Sequence, residues 1–446
     1  MADLLIYTER TNNRVAYTFD LMVCDLLGLS YEFTHDKEAF NAYKGAKFSY
    51  AQEPCGEELF FRSYKLLFET EIKHQPFTFC EHGRIKGFFS VLEPSAIPFD
   101  IFASAFFMVS RYYEYLPSKY DKYGRFRASQ SMILKAGFLE KPMVNYYALE
   151  LKSLLAERYP HLPFKQSKFQ YIPTFDIDIA YSYLHKGLKR TVGAFMRSVL
   201  LSNFKDIRDR IAVLAGKKQD PYDTYDYIFN VCETNGFRPR FFFLLGDGSR
   251  FDKNISVEAE KYRELIKNIA ERADIGIHLS FKSHVSSAVT KREIDRLKRI
   301  TGQAVTANRY HYLRFLVPNS YSMLLKNGIT EDYSMGYAPH PGFRAGICTP
   351  HYFYNVKLET VTPLKIYPIT FMDASFSHYR RYNPKQSLEK MRVILKHVKE
   401  VGGTAYTLWH NSSFTEEGEW KGWRKIFETI SSEAAEAVKQ TAEVES

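Results

Sequence analysis

The chain has 446 residues, 45% of them hydrophobic and 25% charged, which is the balance of a soluble globular protein too long for one ordinary domain. Its net charge of +10 is compatible with nucleic acid, an anionic membrane surface or an acidic substrate. The Lys and Arg residues are scattered and mostly interleaved with Glu or Asp, however, which argues against nucleic acid and fits a phosphorylated or otherwise anionic glycan better. Five widely spaced cysteines with no CxxC pair argue against a disulfide framework and a thiolate zinc site.

The opening MADLLIYTERTNNR lacks the basic and apolar regions of a signal peptide, and the longest apolar stretch, around 101–109, is too short for a bilayer. A cytoplasmic protein without a transmembrane segment is the expectation. Residues 4–7 (LLIY) predict a strand, and Val15, Phe19, Met22 and Val23 lie at helical spacing within a helix over 14–27. PFTFC (76–80) and GFFSVL (87–92) are strand-like, and helices are expected over 101–115 and 143–158. No motif with a chemical mechanism falls here. Residues 1–164 read as an α/β accessory domain ending at the turn-like YPHLPFK.

From 165 the pattern becomes regular. YIPTFDID (171–178), FFFLL (241–245), IGIHLS (275–280), AVTAN (304–308), ITEDYS (329–334), KIYPIT (365–370) and TAYTLWH (404–410) are seven strand candidates. Amphipathic helices separate them, as in 387–400, where Leu388, Met391, Ile394, Leu395 and Val398 share a face. This alternation predicts a (β/α) barrel or an open doubly wound sheet over 165–435, with a tail at 436–446.

The polar residues fall at strand ends. Asp176 and Asp178 end the first strand, His278 lies near the end of the third, Arg309 and His311 follow the fourth, Asp332 sits in the fifth and His410 ends the last. Parallel α/β folds build their sites at the carboxyl ends of strands, so these residues can converge. Asp176 and Asp178, two apart, face one side of a regular strand, where one can hold a cation and its neighbour take a proton from water. A strand-end pair capping a turn has the same pattern. Most of the 36 Phe and 32 Tyr are expected to fill a core, leaving some Tyr and Trp for a sugar-binding groove.

In these motifs the chain resembles the polysaccharide deacetylases, a carbohydrate esterase family whose domain is a deformed (β/α) barrel. Thr174-Phe175-Asp176-Ile177-Asp178 matches the first motif; the resemblance implies that Asp176 is the general base and Asp178 a metal ligand. His278 matches the first histidine of the second motif, H-S/T-x-x-H, but the position of its second histidine holds Lys282, and His284 comes two places late. Arg309-Tyr310-His311-Tyr312 is a relative of R-x-P-F/Y, whose Arg pairs with the catalytic Asp. His311 is suggested as the replacement ligand, with His284 as the alternative. Leu408-Trp409-His410 matches L-x-H, whose histidine is the general acid. The segment 332–348 lies where the family has a groove loop, making His340 and Arg344 candidate substrate contacts beside Tyr312 and Trp409. The resemblance thus implies a divalent metal, zinc by ligand type, and removal of an N-acyl (acetyl) group from an amino sugar in a glycan or glycan precursor. Alternatives are hydrolysis of another C–N or ester bond, a two-carboxylate glycosidase using Asp176 and Asp332, or an inactive carbohydrate-binding homologue.

Overall fold

The computed structural model describes residues 2–443. Leu4–Tyr7 (β1), Tyr31–Thr34 (β2), Lys47–Ala51 (β3) and Leu59–Arg62 (β4) form a parallel sheet in the order β2-β1-β3-β4. The helix after β1, Asn13–Phe19, is capped by Asn12, whose side chain accepts the Val15 N–H. It continues as a wider π-helix over Asp20–Leu26 and stacks Phe19 on Phe102 at 4.5 Å. The strands expected at 76–80 and 87–92 are replaced by a short antiparallel hairpin, Cys80–His82 (β5) with Ile85–Gly87 (β6). Around it Phe77, Phe88, Phe89 and Phe107 pack ring against ring. Their strand-like signal comes from burial rather than ladder pairing.

The second half forms a nine-stranded sheet from Gln170–Ile177 (β7), Arg240–Leu244 (β8), Asp274–Leu279 (β9), Ala307–Tyr310 (β10), Glu331–Asp332 (β11), His351–Asn355 (β12), Thr360–Ile366 (β13), Ile369–Met372 (β14) and Thr404–His410 (β15). Its order is β12-β13-β11-β10-β9-β8-β7-β15-β14, parallel throughout except for the antiparallel edge pair β12/β13. Nine strands therefore stand where the pattern predicts seven. β12 has no aliphatic run to announce it, and the segment read as one strand at 365–370 belongs to two.

That division is what curls the sheet. β13 and β14 are separated by only Tyr367 and Pro368, yet they lie toward opposite ends of the strand order. Between them the Tyr367 N–H donates to Asp332 O at 2.8 Å and the Ile369 N–H to Met335 O at 3.0 Å. One extended segment thus serves both ends of the sheet, which makes the fold a deformed (β/α) barrel. Gly276 sits where strands crowd: a Cβ there would fall 2.5 Å from the Phe242 ring and 2.9 Å from Ala307 O. Glycine lets β8, β9 and β10 approach two residues before His278.

One apolar core runs through both halves. Tyr17 packs on Tyr354 at 5.0 Å, Arg14 Nε donates to Glu359 Oε2 at 2.9 Å, and buried Glu114 binds both Arg111 and Arg344. The segment expected as a tail from 436 continues the last helix, Trp423–Glu443; residues 444–446 lie outside the described residues. No helix among the described residues is long and apolar enough to cross a membrane.

Candidate metal and catalytic centre

Strand register sets the site. His410 lies opposite Asp176 in β15/β7, and Arg309 lies opposite His278 in β10/β9. With Asp178 just past β7 and His311 just past β10, all converge at the carboxyl ends of the strands. Asp176, Asp178, His278, His311 and His410 line a cavity of about 240 Å³ whose wall includes Tyr123, Tyr312, Met372, Tyr379 and Leu408.

Asp178, His278 and His311 bring one donor atom each within 4.8 Å of one another. His278 Nδ1 lies 2.9 Å from the Arg309 carbonyl, which can only accept, so Nδ1 carries the proton and Nε2 presents a lone pair. That Nε2 stands 3.1 Å from Asp178 Oδ1, a buried oxygen that nevertheless accepts no hydrogen bond. His311 repeats the arrangement: Nδ1 bonds Asp252 Oδ1 at 2.9 Å and Nε2 lies 3.5 Å from Asp178 Oδ2. Lone pairs aimed at a shared point, with each imidazole oriented by an acceptor behind it, fit a cation site. His284 is elsewhere, its Nδ1 3.1 Å from Phe281 O, and burial pushes its pKa down to about 4. The donor set thus contains His311 and not His284.

The carboxylates and imidazoles of the cluster shift one another's proton affinities. Burial alone would discharge the His311 ring, but Asp178 and then Asp252 outweigh it and raise its pKa to about 9. Burial would likewise raise the Asp178 carboxyl; the His311 ring, with His410 behind it, holds it well below the usual carboxylate range.

Asp176 sits beside this set, buried, with Oδ1 accepting from Arg309 Nη1 at 2.7 Å. Arg309 is itself immobilised, donating to Thr174 Oγ1 at 2.7 Å and Tyr333 O at 2.9 Å. Asp176 Oδ2 is 3.6 Å from His278 Nε2. On the other side, His410 Nε2 is 3.9 Å from Asp178 Oδ2, while its Nδ1 lies 2.8 Å from Asp373 Oδ1. Burial opposes charge on His410, but Asp373, followed by Asp178 and Asp176, raises its pKa to about 10.

Four sequence-based assignments need correction. Trp409 is fully buried, its Nε1 bonded to Thr407 and its ring packed on Phe427, because alternate strand residues face opposite sides. It cannot contact substrate in this cavity. Arg344 is 2% exposed and committed to Glu114, so it is a core ion pair rather than an anion contact. His340 lies outside the cavity, against Arg380. Asp332 is also fully buried, bonded to Asn308 and Ser334, so the Asp176/Asp332 glycosidase pair is not formed. Tyr312, in left-handed conformation at φ 62°, does line the cavity and stacks on Tyr123 at 5.2 Å.

Sequence reasoning missed Asp252, Asp373 and Tyr123. Asp373 directly follows β14, the same signal that marked Asp176 and Asp178, but was hidden because the strand was ended at 370. Asp252 lies in a polar loop without periodicity. Tyr123 comes from the first 164 residues, so the barrel does not build the cavity wall alone.

The curled sheet with converging donors at its strand ends defines a deformed (β/α) barrel carrying a candidate metal centre. Residues 4–160 match the model of a family of unknown function (DUF7033). No curated protein matches the chain. Among solved structures, the chain is similar to a Mycobacterium smegmatis protein described as a polysaccharide deacetylase, with 15% identity and a TM-score of 0.40, over 62% of this chain and 92% of that one. It is also similar to a family 4 carbohydrate esterase from Streptomyces lividans (12% identity, TM-score 0.27, 48% of this chain and 81% of that one). A CE4-family pseudoenzyme from Bacillus anthracis is similar at 11% identity and TM-score 0.30, over 61% of this chain and 62% of that one.

Proposed function

We propose that the chain is a metal-dependent hydrolase that removes an N-acyl group, acetyl in the simplest case, from an amino sugar in a glycan or glycan precursor. The observation that carries this reading is the convergence of His278 and His311 Nε2 on Asp178, with Asp176 on one side and His410 on the other. Asp178, His278 and His311 would hold a divalent ion, zinc by donor type, which when bound supplies Lewis-acid polarisation of an acyl carbonyl and acidifies water.

The chain's own residues do the proton work. Arg309 occupies Oδ1 of Asp176, leaving Oδ2 to take the proton of an attacking water. As the water oxygen bonds to the acyl carbon, the C–N bond breaks and the amine requires a proton. His410, kept protonated by Asp373, delivers it from Nε2, the nitrogen facing the cluster. Tyr123 and Tyr312 offer stacked rings at the cavity wall for a pyranose face.

The test is metal content together with acetate release from N-acetylated amino sugars: a diphosphate-linked sugar, the free sugar and chitin oligomers. One zinc per chain is expected, with activity lost to a chelator and restored by zinc. Asp176→Asn should keep the metal and lose about 100- to 10,000-fold of the rate. Full activity after chelation, or full metal in both His278→Ala and His311→Ala, would overturn the reading.

A further inference from the structure

The helical hairpin between β7 and β8 is inside out. In Leu188–Leu200 only Ser198 is buried, although Leu188, Val192, Met196, Val199 and Leu200 follow helical spacing along one stripe. The next helix, Phe204–Leu214, leaves Phe204, Ile211 and Leu214 exposed, and Leu201 at the bend is exposed as well. An amphipathic helix of a globular protein turns its apolar stripe to the core. Here polar contacts tie the hairpin to the barrel: Arg190 donates to Asn254 O and Lys253 O, and Tyr183 to Asp206. The apolar stripe is left to solvent.

The same segment concentrates the charge. Residues 186–218 carry nine Lys and Arg against two Asp, a net +7 out of the +10 of the whole chain. Lys189, Arg197, Arg208 and Lys217 are exposed beside the apolar stripe.

We propose that this hairpin docks the protein onto an anionic lipid bilayer, lying in the interface with its aliphatic side chains among the acyl chains and its cations at the headgroups. An interfacial helix combines an apolar face with Lys and Arg and does not span. A second copy fits less well, because a two-fold contact would set this +7 patch against itself. Nucleic acid would engage the cations and leave the aliphatic stripe in water.

The docking geometry has a functional consequence. The hairpin leaves the barrel directly after Asp178, and its base is tied down by Asn411, which donates to Ile179 O at 3.1 Å and Tyr222 O at 3.0 Å. Asn411 adjoins His410, and the loop that Arg190 grips holds Asp252. A docked hairpin holds the carboxyl-end rim of the barrel at the lipid surface.

The test is co-sedimentation of the full chain with phosphatidylcholine vesicles made with and without phosphatidylglycerol. Binding is expected only to the anionic vesicles and should weaken with salt. Leu200→Gln/Leu201→Gln/Phe204→Gln, all at exposed positions, should weaken partitioning roughly tenfold per side chain. Lys189→Glu/Arg197→Glu/Arg208→Glu should abolish the preference for anionic lipid, with thermal melting confirming that both variants fold. Absence of binding to either vesicle, or binding unchanged in the Gln variant, overturns the proposal. So does a concentration-dependent dimer that the Gln variant disrupts while vesicles are ignored, or retention of nucleic acid by the same cations in place of vesicles.

Discussion

Replacing Asp252 by Asn tests the metal site through a residue that would touch no metal. Asp252 Oδ1 accepts from His311 Nδ1 at 2.9 Å and from the Phe281 N–H at 2.9 Å, while Oδ2 accepts from Ser249 at 2.8 Å. Its carboxylate fixes the tautomer of His311 and raises the basicity of Nε2. Asn keeps an acceptor but removes the charge, so the loss lies near that of a charge-assisted hydrogen bond, about 1.5–3 kcal/mol. Behind a metal ligand, loss of such a partner weakens binding about 10- to 100-fold, and each tenfold is about 1.4 kcal/mol, so the two routes agree. The assay is competition for zinc against a chromophoric chelator, with near-ultraviolet circular dichroism as the fold control. An affinity within about twofold of the parent, in a folded variant, would refute His311 as a ligand oriented by Asp252.

Three further outcomes are expected. Asp373→Asn removes the carboxylate that holds His410 protonated, so the alkaline decline in rate should move down from about pH 10 toward the ordinary imidazole range near ~6.5; an unmoved limb would exclude His410 as the acid. Burial raises the Glu293 pKa to about 7 despite hydrogen bonds from Ser280, and the folded state therefore holds a proton that the unfolded chain releases. Its contribution to stability is full below the unfolded value of ~4.3 and is lost as pH rises through about 7. Glu293→Gln should flatten the fall in Tm over that window, and an unchanged slope would count against it. Buried Asp332, raised to about 6, keeps part of the slope. Glu114→Gln leaves Arg111 and Arg344 buried without their counter-charge and should cost about 3–5 kcal/mol in urea unfolding. A loss below about 1 kcal/mol would mean that the pair is solvated rather than buried.

The barrel strands were legible where burial on both faces wrote long apolar runs: β7, β8, β9 and β15 coincide with the predicted strands within a residue. The seam was not legible. β12 and the β13–β14 division depend on which edge each segment meets, and apolar content does not encode that. The strand-end carboxylates and histidines could be picked out one by one, because side-chain chemistry and position at a strand end are both local. The alternation that placed Asp176 and Asp178 on one side also removes Trp409 from the side of His410, and this could have been read without coordinates.

What the sequence by itself determined is therefore the class of fold and the chemically capable residues, since both follow from local periodicity and functional groups. Tertiary structure alone decided that His311 joins Asp178 and His278 while His284 does not, and that Asp252 and Asp373 stand behind the imidazoles. It also decided that Arg344 is spent on Glu114, and that the apolar stripe of the basic segment 186–218 faces outward. Each of these depends on contacts between residues far apart in the chain. Their cost or benefit is set by burial and direction, which no single residue type carries.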